Sequence, residues 1–135
     1  VGAVYGYLLD SGGSYSLVGG YPASPLDWNS AVNAWHDFWF ASDADPVHRF
    51  MPDMERCNSL TSGRGLCAAG KYYVFYDEET DDISFDVSAL AGDVPAMAMD
   101  TWTGEIVDLG TKGPGYVLFN APHESDWAVA IGNFE

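Results

Sequence analysis

Residues 83–87, Ile-Ser-Phe-Asp-Val, alternate strictly between apolar and polar side chains. Successive side chains of a β-strand point to opposite faces, so this pattern predicts a strand with one buried and one solvated face. Further apolar stretches follow at similar spacing, separated by turn-forming residues and without an intervening helical pattern. This arrangement predicts a mainly β chain that folds as an antiparallel β-sandwich. The other predicted strands are residues 66–69, 71–76, 96–102, 106–109, 116–119 and 127–131.

The connections between these strands are predicted from their polar residues. Residues 77–82 are almost entirely acidic and predict a hairpin loop between two strands. Residues 120–126 predict a second polar connection, ahead of the last strand. Thr103, Gly104 and Glu105 predict a tight turn, because glycine and small polar residues favour turn conformations.

The segment ahead of the strands carries the pattern of one helix. Ser24 can cap the free N–H groups of a helix, and Pro25 suits its first position. We therefore predict an amphipathic helix over residues 24–40. Ahead of it, residues 1–9 are predicted as an additional strand. The helix presents an apolar stripe of Trp28, Ala31, Val32, Trp35, Phe38 and Trp39.

The pattern changes near Gly65, and this change divides the chain in two. We predict a helix-containing segment over residues 1–64 and an antiparallel sandwich over residues 65–135. The chain begins at Val1 rather than methionine, which leads us to expect a processed or excised product.

Charge and composition limit the classes of partner. Twenty Asp and Glu residues face five Lys and Arg residues, so the formal net charge is −15. Such a surface repels phosphate backbones and anionic lipids, and it predicts neither a nucleic-acid nor a membrane partner. Apolar residues make up 47% of the chain and aromatic residues 15%, which is too much for a disordered protein. Its apolar runs are far shorter than the roughly twenty residues of a transmembrane helix.

The two cysteines, Cys57 and Cys67, flank a short segment that contains glycine. A disulfide that closes so short a loop contributes about 2–3 kcal/mol in the chain-entropy model. A zinc site built on the cysteines would need further ligands nearby, and no CxxC pattern is present. We therefore expect a disulfide, and with it an extracellular or secreted protein, and two buried free thiols are the alternative.

Candidate binding residues are of two kinds, acidic and aromatic. The acidic residues of the predicted hairpin can supply oxygen ligands to calcium, although a solvated loop is the alternative. Aromatic rings on sandwich strands can stack on sugars, or they can fill the core. The calcium candidates are Asp77, Glu78, Glu79, Asp81 and Asp82, and the carbohydrate candidates are Trp102, Tyr116 and Trp127.

No catalytic residue is predicted from the sequence. The histidines at positions 36, 48 and 123 do not form an HExxH pattern, and no metal site is expected from them, because only a coincidence of the fold would bring them together. Twenty acidic residues guarantee chance pairs, so the catalytic carboxylates of a glycosidase cannot be chosen by spacing.

Four motifs resemble one known family. Residues 65–76 (GLCAAGKYYVFY) and 83–90 (ISFDVSAL) are similar to two of its strands. Residues 100–105 (DTWTGE) are similar to its turn, and 121–129 (APHESDWAV) to its closing strand. Together they resemble the C-terminal β-sandwich, labelled a collagen-binding domain, of apiosidase-like glycoside-hydrolase-family proteins. More weakly, residues 1–64 resemble the end of the barrel that precedes it.

The resemblance implies a non-catalytic accessory or interaction domain of a secreted, carbohydrate-active protein. The family's catalytic carboxylates lie on earlier barrel strands, so none is carried over to this chain. The helix with Trp28, Trp35 and Trp39 would pack on a neighbouring catalytic domain or on other copies of the chain, because an uncovered stripe demands a partner. The alternatives are a self-assembling extracellular structural protein and a carbohydrate-binding module. No cofactor other than calcium is expected, and polysaccharide is a further candidate partner.

Overall fold

A computed structural model describes residues 28–43 and 45–134, with side chains from Ala34 onward. The predicted strand over residues 1–9 and the predicted helix start at Ser24 lie outside this range. Helix α1 spans Trp28–Trp39, and a short 3-10 turn spans Asn58–Leu60. The strands are β1 Glu55–Arg56, β2 Arg64–Ala68, β3 Tyr72–Asp86, β4 Val94–Asp100, β5 Ile106–Lys112 and β6 Tyr116–Gly132.

The strands form a single antiparallel sheet in the order β1-β2-β3-β6-β4-β5. This confirms the predicted fold class, an antiparallel β structure preceded by one helix. Strand β1 lies in the segment 1–64 but pairs with β2, since Glu55 faces Cys67 and Arg56 faces Leu66.

The sheet folds over on itself and so has the character of a sandwich. Phe75 and Phe85 both lie on β3, and their rings stack with centroids 5.0 Å apart. Ten residues of straight strand would separate them by about 33 Å. Strand β3 therefore bends back, and it brings both of its ends into one core. That core also contains Phe119 and Val129, from the two ends of β6.

The bend replaces the two loops that the sequence predicts. Residues 77–82 are not a hairpin tip, because β3 runs unbroken from Tyr72 to Asp86. Residues 120–126 likewise belong to the single strand β6. The two strands pair along their whole length, with register shifts between Asp77 and Thr80 and between Thr80 and Asp82. Both loop predictions are therefore wrong: the polar runs are irregular stretches that bend the paired strands.

The helix covers the outer face of one half of the sheet. Trp35, Phe38 and Trp39 are 6%, 1% and 3% exposed. They pack in one cluster with sheet residues that include Val74 and Ala128. Trp35 and Trp39 are thus buried within this chain and offer little surface to a partner, contrary to the expected docking stripe. The side chain of Trp28 lies outside the described residues.

Arg49 fixes the segment that leaves the helix. Arg49 is 4% exposed, and its guanidinium donates to the backbone oxygen of Phe38 at 3.0 Å and pairs with Asp45 at 2.6 Å. A buried cation needs such partners, because leaving it unpaired would be strongly destabilising. The interaction holds the chain after α1 against the helix end.

Across the described ranges, no helix has the length and apolar character needed to span a bilayer.

Candidate functional site

A buried carboxylate organises a polar network at the end of β4. The side chain of Asp100, the last residue of β4, is 1% exposed. Its Oδ1 accepts hydrogen bonds from the Ser125 hydroxyl at 2.9 Å and the Trp102 backbone N–H at 2.8 Å. Its Oδ2 lies 2.8 Å from Nε2 of His123. The site thus joins the β4–β5 turn to strand β6.

The irregular pairing of β6 explains how His123 arrives at Asp100. Between the pairs Thr80–Ser125 and Asp82–Asn120, four residues of β6 face only Asp81 of β3. These extra residues of β6 form a β-bulge, and a bulge changes the direction in which side chains point. His123 lies in this bulge, and its backbone oxygen accepts a 3.1 Å hydrogen bond from the indole N–H of Trp127.

Asp126 forms the second half of the network. Its carboxylate accepts hydrogen bonds from the Trp102 indole N–H at 2.8 Å and the Glu79 backbone N–H at 2.9 Å. Its backbone oxygen accepts both the N–H and the hydroxyl of Thr101 at 2.9 Å. Asp126 is 6% exposed and Thr101 is fully buried, so the turn after β4 is held rigidly against β6.

The environment favours the ionised form of Asp100. Burial alone would raise the pKa of its carboxyl. Hydrogen bonds to His123, Trp102 and Ser125 outweigh that effect, and the net result is a pKa below the ordinary value. With Asp100 ionised, the His123 Nε2–H donates to the carboxylate.

This geometry differs from that of a serine hydrolase. The Ser125 hydroxyl donates to Asp100, so its proton is not directed at His123 as nucleophilic catalysis requires. Glu105, an exposed residue, also approaches the pair. Asp100, Glu105 and His123 each offer one ligand atom, and these atoms lie within 4.8 Å of one another. The three residues can therefore supply oxygen and nitrogen ligands to a metal ion.

The aromatic candidates fall in three different environments. Trp127 is fully buried and packs against Phe119 with ring centroids 5.4 Å apart, so it belongs to the core and cannot stack on a sugar. Trp102 is partly buried, and its indole N–H is bonded to Asp126. Tyr116 is 83% exposed. Of the three, Tyr116 has the accessibility that a sugar-stacking ring needs.

The acidic candidates lie in the irregular part of β3 rather than in a loop. Asp77 is partly buried, and this burial raises the pKa of its carboxyl. Glu79 has a positive φ of 48°, which marks the local irregularity of the strand. Glu78, Asp81 and Asp82 are exposed. Calcium binding by these five residues stays a prediction.

The disulfide expected between Cys57 and Cys67 is not formed in the structure, where both are buried free cysteines. The backbone N–H of Cys57 donates to the Gly65 oxygen at 2.8 Å, so Cys57 continues the β1–β2 pairing and lies diagonally across from Cys67. A hydrogen bond between the thiols, together with burial, raises the pKa of Cys57. The same bond lowers the pKa of Cys67. The two residues act here as adjacent thiols in the main core.

Sequence analysis missed the network because its members come from two separate motifs. Asp100 and Trp102 lie in the DTWTGE turn, whereas His123, Ser125 and Asp126 lie in APHESDW. Each motif is uninformative by itself. The signal that could have indicated the network is that both segments place several polar side chains next to a tryptophan, and that both resemble parts of one sandwich domain.

Comparison with known proteins identifies the fold. No family model matches the chain, and no curated protein does. A solved structure described as a glycoside hydrolase aligns with 86% of this chain at a TM-score of 0.57 and 14% identity. A glycoside hydrolase family 5 protein from Bacteroides vulgatus aligns with 76% at a TM-score of 0.58 and 10% identity. Glycoside hydrolases contain this fold.

The chain spans 29% and 24% of the lengths of these two glycoside hydrolases. The comparisons therefore support the coarser part of the family resemblance, a fold associated with glycoside hydrolases. The narrower relationship to apiosidase-like proteins and their collagen-binding-labelled domain stays a prediction.

Proposed function

We propose that this chain is a non-catalytic accessory β-sandwich domain of a secreted, carbohydrate-active, glycoside-hydrolase-like protein. The observation that carries the proposal is the share of each chain that aligns: 86% of this chain matches only 29% of a glycoside hydrolase. A unit of this size and fold is thus found within a much larger enzyme. Its role in that setting is to pack against the neighbouring catalytic domain and stabilise it.

The contact with the catalytic domain is assigned to an exposed aromatic patch at the end of α1. Phe40 and Phe50 are 40% and 37% exposed, and their ring centroids lie 6.2 Å apart. His48, also exposed, packs edge-on against Phe40 at 5.4 Å. Exposed apolar clusters of this kind mark interaction surfaces. The patch takes the place of Trp35 and Trp39, which the sheet buries.

The first test is enzymatic activity of the isolated chain. We expect no turnover across a panel of aryl glycosides. Robust hydrolysis that a single carboxylate substitution within this chain abolishes would contradict the accessory role.

The second test concerns docking in the full-length parent protein. We expect Phe40→Glu combined with Phe50→Glu to separate the thermal transitions of the sandwich and the catalytic domain. Ile106→Glu is the matched control, because Ile106 is 51% exposed on β5, outside the patch. If the control and the double variant behave alike, the patch is not the docking surface. Concentration-dependent self-association of the isolated chain, lost in the double variant, would instead favour the self-assembling alternative.

A carbohydrate-binding role is the second candidate, and the surroundings of Tyr116 favour it. A cleft of about 250 Å³ beside this ring is lined by hydroxyl side chains and two apolar residues. Exposed aromatic rings next to hydroxyl groups suit sugars, which present apolar faces and polar edges. Affinity electrophoresis in soluble polysaccharides tests this candidate. Retarded migration that Tyr116→Ala abolishes and Trp102→Phe preserves would support it, and unretarded migration in every polysaccharide would contradict it.

A further inference from the structure

We propose that Asp100, Glu105 and His123 bind one divalent transition-metal ion, with zinc as the ion that fits them best. Asp100 ends β4, Glu105 follows the tight turn, and His123 lies in the β6 bulge. Three separate segments thus place one ligand atom each within 4.8 Å of the other two. A bound ion would connect the β4–β5 turn to β6.

The distance between two of the three ligand atoms is close to that in a zinc site, and the third lies within 4.8 Å of both. Zinc binds nitrogen and oxygen ligands at about 2.0–2.2 Å in tetrahedral geometry, so two ligand atoms lie about 3.3 Å apart. Nε2 of His123 and Oδ2 of Asp100 are 2.8 Å apart. Zinc would take the place of the Nε2 proton, which passes through solvent to Nδ1 so that the imidazole stays neutral, and the two ligand atoms would separate by about half an ångström. The His123 side chain is 46% exposed and lies in a bulge, so it has room for this shift.

The surroundings of Asp100 hold its carboxylate in a ligand-like orientation. Oδ1 accepts the Ser125 hydroxyl and the Trp102 N–H, while Oδ2 faces His123. Metal-binding carboxylates are commonly fixed in this way, with one oxygen held by surrounding donors and the other on the ion. The backbone at His123 is fixed independently, through the hydrogen bond from the Trp127 indole.

The charges at the site match a divalent ion. Two carboxylates and a neutral imidazole carry a charge of −2, which the ion neutralises. The chain has twenty acidic residues for five Lys and Arg residues, so its carboxylates far outnumber its basic side chains and favour binding of a cation. The imidazole favours zinc over calcium or magnesium, which prefer oxygen ligands. Three protein ligands would leave the fourth tetrahedral position to water.

Isothermal titration of the apo chain with zinc chloride tests the proposal. We expect one ion per chain and a zinc-dependent rise in melting temperature. His123→Ala and Glu105→Gln should each weaken binding at least tenfold. Ser125→Ala removes only a supporting hydrogen bond to Asp100, and it should weaken binding by about tenfold or more. Melting of each variant without metal verifies that it folds.

Matched control variants separate this site from other zinc ligands. Glu124→Gln changes an exposed carboxylate beside His123, His48→Ala removes an exposed histidine elsewhere, and Cys67→Ser removes a thiol. All three should retain the affinity of the unmodified chain. Cobalt in place of zinc should show no thiolate charge-transfer band. The proposal is overturned if zinc does not bind stoichiometrically, if His123→Ala leaves affinity unchanged, or if a control variant abolishes binding.

Discussion

Replacement of Trp127 by alanine should be one of the most destabilising single changes in this chain. Trp127 is fully buried, packs against Phe119 and His123, and donates its indole N–H to the His123 backbone oxygen at 3.1 Å. Burial of a tryptophan removes roughly 200 Å² from water, or about 5 kcal/mol at 25 cal/mol per Å² as an upper estimate. Measured Trp→Ala changes in protein cores cost about 3–5 kcal/mol. That is a large share of the roughly 5–15 kcal/mol that stabilises a domain.

The measurement is thermal and urea unfolding followed by circular dichroism. At about 4 °C per kcal/mol for a chain of this size, the melting temperature of Trp127→Ala should fall by roughly 12–20 °C. Trp127→Phe keeps most of the ring but loses the indole hydrogen bond, and it should cost about 1–3 kcal/mol. Tyr116→Ala is the exposed control and should stay within about 0.5 kcal/mol of the unmodified chain. If Trp127→Ala is no more destabilising than Tyr116→Ala, Trp127 does not lie in the core.

Three further outcomes are expected. Burial and the hydrogen bond to Asp53 raise the pKa of Tyr72 to about 12, so its contribution to stability is present below pH 10 and is lost as the pH rises towards 12. In an ultraviolet titration, the tyrosine that ionises near pH 12 should be absent from Tyr72→Phe, and the pKa of Tyr72 should fall in Asp53→Asn. Cys57 and Cys67 should resist a thiol reagent until the chain unfolds and then titrate as two thiols, whereas an unreduced mass lower by two hydrogens would show a disulfide. Gly104→Ala should cost about 1–3 kcal/mol in urea unfolding, because Gly104 has a φ of 77°, and an unchanged unfolding midpoint would contradict this conformation.

The strand pattern was predictable where the controlling interactions are local. The alternation at residues 83–87 places Phe85 in the core and Ser84 on the surface, as observed. The turn at Gly104 also follows from local chemistry. Both are properties that neighbouring residues determine through side-chain direction and backbone conformation.

The course of the long strands could not be predicted, because it depends on pairing between distant segments. A run such as Asp77–Asp82 has the composition of a loop, and its partners lie on β6, more than thirty positions later. The same non-local register brings His123 to Asp100. The helical periodicity correctly predicted that Trp35 and Trp39 lie on an apolar, buried face of the helix. It did not predict that the surface covering them is the sheet of this chain. Periodicity identifies a buried face without identifying what buries it.

The continuity of β3 and β6 through the bend has a consequence for how the molecule opens. In most sandwiches the two layers are separate sheets, and one can fray while the other persists. Here each layer contains half of the same two strands, so the backbone amides of both halves should exchange with deuterium in a single cooperative event. Pairing begins across thirty positions, at Asp86 and Tyr116, and ends across sixty, at Tyr72 and Gly132. Closing the short span first limits the entropy lost at each step, which favours zippering from the Asp86–Tyr116 end through the bend to Gly132.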